Sequence, residues 1–203
     1  MGFYNLNNLE QGSAKWLAWR RTVVGASDAP TVMGENPWAK PAYLMQEKMG
    51  LTREFGGNDA TREGQRLELF ARQALEKESG LKLAPTIIQD EEHPFLAASL
   101  DAISKDFKHL FEIKCGKKSY EYVAENRKVP SYYYGQLQHM LMITQLSVMY
   151  LTVYRPDQKM LTLQVPYDEA YIHKLRNTEL KFVDELVDRG HKIQDKFHGK
   201  LID

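Results

Sequence analysis

The chain is short of several things that would have decided its class at once. It has one cysteine, Cys115, among 203 residues. One thiol cannot close an internal disulfide or complete a multi-thiolate zinc or iron–sulfur site, and it points to a reducing compartment. Apolar runs are short as well. None approaches the roughly 18 consecutive apolar residues of a membrane span, and the start of the chain, MGFYNLNNLEQGSAKW, has neither a basic n-region nor an apolar h-region. The expectation is a cytoplasmic protein with no membrane partner. Net charge is missing too, since 27 basic residues balance 27 acidic ones. That excludes a bulk-basic nucleic-acid coat, an acidic tail and a polybasic anchor as whole-chain descriptions, but not a local patch. Repeats and low-complexity tracts are absent, and the Gly-rich FGGND at 55–59 reads as an internal loop. The six histidines are scattered without helical or strand spacing, which gives zinc hydrolase chemistry no support.

What remains is the composition of a folded domain, 43% hydrophobic and 27% charged, at a length expected of one domain. Periodicity predicts short helices at Ser13–Arg21 and at Pro41–Met49, with Ser27 as an N-cap opening another between them. Leu67, Phe70, Ala71, Ala74 and Leu75 form the apolar stripe of a helix over 60–79, closed by Gly80. Strands are predicted at Leu81–Gln89, Phe95–Ile103 and Leu110–Cys115, the last two joined by the turn KDFK. A helix over Pro130–Leu146 follows, then a hairpin of Val148–Tyr154 and Met160–Val165. A closing helix carries Tyr171, Leu175, Phe182, Leu186, Ile193 and Phe197 near one face. The order α, β, β, β, α, β from residue 60 onward indicates an α/β fold, a mixed central β-sheet flanked by helices.

Two Glu-x-Lys pairs occur, and geometry separates them. Residues i and i+2 share a face in a strand and point apart in a helix. Glu179 and Lys181 lie in the closing helix, so they read as a solvated surface. Glu112 and Lys114 lie in a strand whose other face, Phe111, Ile113 and Cys115, is apolar. The KDFK turn folds Asp101 back beside them. Two carboxylates on adjacent strands, with the Ile113 carbonyl between them, make a hard-oxygen site of the kind Mg²⁺ prefers. A cross-strand salt bridge of Lys114 with Asp101 or Glu112 is the plain alternative.

The segments WLAWRRTVVGASDA (16–29), GQRLELFARQAL (64–75), AASLDAISKDFKHLFEIKC (97–115) and YYYGQLQHMLMIT (132–144) together resemble the PD-(D/E)xK nucleases. Within that superfamily they resemble the phage lambda exonuclease type, the YqaJ-like viral recombinases. The resemblance implies a restriction-endonuclease-like αβββαβ core, in a single domain over 1–203. Helices within 1–58 would contribute DNA-end contacts, the core would span about 60–166, and the closing helix about 167–198. It implies that Glu68, Asp101, Glu112 and the Ile113 carbonyl hold Mg²⁺, with Mn²⁺ as a substitute and two ions per site. Lys114 matches the family's catalytic lysine and Gln136 the glutamine that supports it. Arg20, Ser27 and Ser99 match positions that hold a 5′-phosphate, although the WRR register leaves Arg21 as an alternative to Arg20. Leu100 stands where the family has Pro, which changes backbone stiffness and leaves the ligands alone. Asn36, Trp38 and Arg53 to Asn58 fall where such enzymes have duplex-gripping loops, and Trp38 reads equally well as packing.

Each residue also has a plainer reading: Glu68 as a helix-surface charge, Gln136 as a polar position beside the Leu137 stripe, Ser27 as a cap, and the tyrosines of YYYGQ as packing. By resemblance the activity is Mg²⁺-dependent 5′-to-3′ digestion of one strand of linear double-stranded DNA, acting on duplex ends. It releases 5′ mononucleotides and leaves a 3′ single strand for annealing. The same resemblance implies a homotrimer ring, a single-strand annealing protein as partner, and a phage or prophage origin. The alternatives are an endonuclease of the same superfamily and a non-catalytic DNA-binding module with this fold. A Cas4-type enzyme is disfavoured because its cluster needs several cysteines.

Overall fold

The computed structural model describes residues 2–6, 9–52, 59–193 and 200–202. Its centre is a mixed sheet of eight strands. The strands are β1 (Phe3–Asn5), β2 (Val24–Gly25), β3 (Leu83–Asp90), β4 (Leu96–Ser104), β5 (Leu110–Lys114), β6 (Val148–Val153), β7 (Leu161–Pro166) and β8 (Lys200–Ile202). They run in the order β7-β6-β5-β4-β3-β1-β8, with β2 paired in parallel to β4. β3, β4 and β5 form an antiparallel meander, and β6 joins β5 in parallel. That parallel step needs a crossover, which α5 (Lys117–Asn126) and α6 (Ser131–Thr144) supply. The remaining helices are α1 (Ala14–Arg20), α2 (Ala29–Val32), α3 (Pro41–Lys48), α4 (Asp59–Ser79) and α7 (Glu169–Asp188).

Each face of the sheet has its own apolar layer. α4 lays Leu67, Ala71 and Leu75 against Ala102, Phe111, Ile113 and Cys115. The opposite face is larger and receives α6, which is buried almost all round from Leu137 to Thr144, together with α7. Strand alternation explains the assignment: Phe111, Ile113 and Cys115 turn to α4, so Glu112 and Lys114 turn toward α6. α6 also packs tightly on α2. A Cβ at Gly135 would lie 2.9 Å from the Tyr171 hydroxyl and 3.2 Å from the Pro30 nitrogen, so this crossing needs a residue without a side chain.

The predicted α/β order and all the main strands and helices are present, with several differences. The closing helix stops at Asp188; Ile193 packs on the core from beyond its end, and Phe197 lies outside the described residues. α5 was unforeseen because only Ser119 and Val123 are buried in it, too few for an apolar stripe to show. β1, β2 and β8 are two or three residues long, below the length at which alternation is legible.

Glu179 is not on a solvated surface. It is fully buried and its Oε1 lies 2.7 Å from Nδ1 of His139, whose Nε2 donates to the Ala97 carbonyl at 3.0 Å. Burial would lower the imidazole, but Glu179 outweighs it and holds His139 above its ordinary value; burial raises Glu179. Both shifts leave the folded protein holding more protons than the unfolded chain. Stability from each group is therefore fully present below its ordinary value, about 6.5 for His139 and 4.5 for Glu179, and is lost as pH rises through the raised folded value. Removing one partner strands the other. His139→Ala is expected to cost about 3–5 kcal/mol in urea unfolding at neutral pH, because it leaves Glu179 buried without its cation. An unchanged midpoint would contradict the assignment.

Candidate active site

One cavity of about 350 Å³ collects the predicted site residues. Glu68, Asp101, Glu112, Ile113, Lys114 and Gln136 line it, and so do Arg20, Ser27 and Ser99. They come from α1, the β2–α2 link, α4, β4, β5 and α6, so the site exists only once the whole fold has formed.

Asp101 sits at an irregularity in β4. Between Ala84 and Thr86 on β3, the partner strand passes from Ile103 to Leu100, one residue more. This bulge switches the alternation: Leu96, Ala98 and Leu100 share a core with Ile103, while Ala102 joins the α4 side. Bulges of this kind re-aim side chains. The Asp101 carboxylate accepts from the Ile113 amide at 2.8 Å, which ties the two strands together at the site.

Glu112 is buried, at 2% exposure. Its Oε1 accepts from Lys114 Nζ at 2.6 Å and from Gln136 Nε2 at 2.7 Å. Gln136 Oε1 in turn accepts from Lys114 at 3.3 Å, so glutamine and carboxylate clamp the ammonium from two sides. Tyr133 adds a third contact, with Lys114 Nζ 4.8 Å from its ring centre. The salt bridge considered from sequence is therefore present with Glu112, but it lies inside the cavity rather than on an exposed sheet face.

The electrostatics are those of a site with surplus negative charge. Burial and the neighbouring Glu112 and Glu68 push Asp101 well above the usual carboxylate range, against the pull of Lys114. Burial also raises Glu68, opposed by Arg72 and reinforced by Glu112. Burial by itself would lower Lys114, yet Glu112 and Asp101 hold its ammonium above its ordinary value. The other oxygen of Glu112, Oε2, is buried with no hydrogen-bond partner. An unpartnered carboxylate oxygen beside two carboxylates of raised pKa is the donor set a hard cation satisfies, and the residues present fit one. Among the described residues no three His, Cys, Asp or Glu side chains close into a ready-made metal cluster. Glu68 is ion-paired at 3.4 Å to Arg72, which also donates to the Asp101 carbonyl.

The second half of the cavity is cationic. Arg20 donates to Ser27 Oγ at 3.1 Å, lies 3.8 Å from Asp28 and stacks over Trp16 at 4.8 Å. Trp16 Nε1 donates to Ser99 Oγ at 3.2 Å. Of the two arginines of WRR, Arg20 is the one that lines the cavity. Ser27 is not the cap: α2 begins after Asp28 and is four residues long, so no extended helix dipole backs the serine. Asp28 is buried instead, with Oδ2 2.6 Å from the buried Lys48 and bonded to the Gly25 amide. Burial alone would raise Asp28; Lys48 and Arg20 bring its carboxyl below the usual range.

Lys48, Asp28, Trp16 and Arg72 were not found from the sequence. For Lys48 a signal existed, since it continues the buried Leu44 position by one helical turn. Asn36 and Trp38 lie on the loop after α2, and Arg53 to Asn58 lie outside the described residues. Burial pushes the Cys115 thiol up to about 11, so it is no nucleophile near neutral pH.

The meander and its crossover bring Asp101 of β4 and Glu112 and Lys114 of β5 to one cavity with Glu68 of α4. The YqaJ-like viral recombinase domain matches residues 15–147, and the chain belongs to that family. It is 26% identical over 185 residues to uncharacterized protein YqaJ of Bacillus subtilis, covering 89% of this chain and 58% of that protein's length. The fold is similar to that of the alkaline exonuclease LHK-Exo from Laribacter hongkongensis, with a TM-score of 0.76 and 23% identity over 87% of this chain and 94% of the other. It is also similar to a phage-related exonuclease from Haemophilus somnus, with a TM-score of 0.59 and 16% identity over 83% and 96% of the two chains. No helix among the described residues is long and apolar enough to cross a membrane.

Proposed function

We propose that the protein is a deoxyribonuclease that digests one strand of linear double-stranded DNA from its 5′ end, releasing 5′ mononucleotides and leaving a 3′ single strand. The observation that carries this reading is that a carboxylate–lysine centre and an arginine–serine pocket share one cavity. A chain end whose terminal phosphate is held at Arg20, Ser27 and Ser99 presents a nearby phosphodiester to Lys114. Similarity in fold to exonucleases supports the reading.

Glu68, Asp101, Glu112 and the Ile113 carbonyl would hold Mg²⁺, or Mn²⁺ in its place, with two ions per site. The bound ions would supply Lewis-acid stabilisation of the phosphoryl oxygens. The Lys114 ammonium, fixed by Glu112 and Gln136, orients the attacking water and meets negative charge building on the phosphate. Gln136, bonded to both Lys114 and Glu112, would keep that ammonium aimed with Glu112 holding a cation. Arg20 presents a planar fork suited to a phosphate monoester, stacked on Trp16 and backed by Asp28. Assembly as a homotrimeric ring and work beside a single-strand annealing protein belong to the same proposal, supported by family membership.

The terminal-phosphate role is tested with 5′-phosphorylated and 5′-hydroxyl duplexes. The parent should digest the phosphorylated end faster, and Arg20→Ala should remove most of that difference, with a loss of about 1.5–3 kcal/mol, or about ten- to hundredfold, on phosphorylated DNA. A variant that keeps the full preference would overturn the assignment.

A further inference from the structure

Trp38 is 75% exposed, a costly place for the largest apolar side chain. It is nevertheless held in position. The Asn36 amide donates to Thr31 Oγ1 at 2.8 Å, and its carbonyl oxygen accepts from the Trp38 amide at 2.9 Å. The indole meets Tyr132 edge-on at 4.9 Å, and Tyr132 meets Tyr133 at 4.5 Å. Tyr133 is fixed in turn by a 2.8 Å hydrogen bond with Ser119 of α5, and it covers Lys114 Nζ. A continuous aromatic path thus leads from solvent to the lysine of the active cavity. It borders a basic stretch, since residues 114–135 hold five basic and two acidic side chains, with Lys117, Lys118, Arg127 and Lys128 exposed.

Trp38 is exposed and Tyr132 and Tyr133 are half-buried; aromatic rings reachable from solvent beside cations are how sequence-tolerant binding of unpaired bases is built, because every base offers a flat face to stack. We propose that Trp38, Tyr132 and Tyr133 form a stacking surface for unpaired bases of a DNA strand whose backbone runs toward Lys114. The inference rests on reading the cavity as a DNA site, and it adds that bases, not phosphates alone, are recognised beside it. Continuity with the cavity through Tyr133 and the adjoining positive charge favour a nucleic-acid strand over an apolar protein segment.

The test compares a fluorescent oligothymidylate with an abasic strand of equal length, by anisotropy in EDTA so that no strand is cut. The parent should bind the base-bearing strand about tenfold more tightly. Trp38→Ala and Tyr132→Ala should shrink that preference, Trp38→Phe should keep most of it, and Trp38→Leu should behave like the alanine variant. A parent without the preference, or a leucine variant as good as phenylalanine, overturns the surface; in the second case the indole merely packs on Tyr132. Nucleotide release from duplex DNA with Mg²⁺ is scored separately. Release without base preference defeats the stacking surface alone, whereas Trp38-dependent preference without release defeats the nuclease reading and leaves the surface standing.

Discussion

Asp101→Asn is expected to give a protein that is inactive and, without metal, more stable than its parent. The carboxylate is 8% exposed, faces Glu112 and Glu68, and is held well above its ordinary pKa by burial and those neighbours. Its charge therefore works against folding when no cation is bound. Asparagine keeps the carbonyl oxygen that accepts from the Ile113 amide and drops the charge. The gain should be about 0.5–2 kcal/mol in metal-free unfolding, the size usual when a functional strain is relieved. Activity should fall by about three orders of magnitude or more, because an ion-binding oxygen is lost. A variant that is inactive and less stable would mean that Asp101 is structural.

Lys114→Ala should be equally inactive but unstable, and the contrast makes the pair informative. Loss of a positioned ammonium costs about 10²–10⁴ in rate. It also strands Glu112, which at 2% exposure keeps only the Gln136 amide as a partner among its observed contacts. A buried carboxylate deprived of its cation costs about 3–5 kcal/mol. Urea unfolding in EDTA should show that loss, and Mg²⁺ should recover part of it by replacing the missing positive charge. Full activity in this variant would remove Lys114 from the mechanism.

Both experiments turn on residues that were legible in the sequence, because the period of a strand places Glu112 and Lys114 together and a short turn returns Asp101 beside them. The bulge that re-aims Asp101 was not legible. It is a mismatch between β3 and β4, and neither strand shows it alone. The neighbours Asp28, Ala29 and Pro30 make Ser27 read as a cap, whereas Asp28 is the residue that precedes the helix, and its carboxylate is held by the buried Lys48. Glu179 departs furthest from what its sequence suggests. It lies four residues after Leu175 and three before Phe182, on the buried stripe of α7, so its spacing marked it as internal while its charge suggested solvent. The partner that resolves the conflict, His139, is 40 residues away on α6, a distance that local pattern does not bridge.

The most direct test of the central claim is to mix the protein with end-labelled linear duplex and with closed circular duplex, each with Mg²⁺ and with EDTA. The account predicts mononucleotides released from the 5′ ends of the linear DNA only with Mg²⁺, while the circle stays intact. Cutting of the circle would make the protein an endonuclease of the same fold, and linear DNA bound but left whole would make it a binding module; either result contradicts the account.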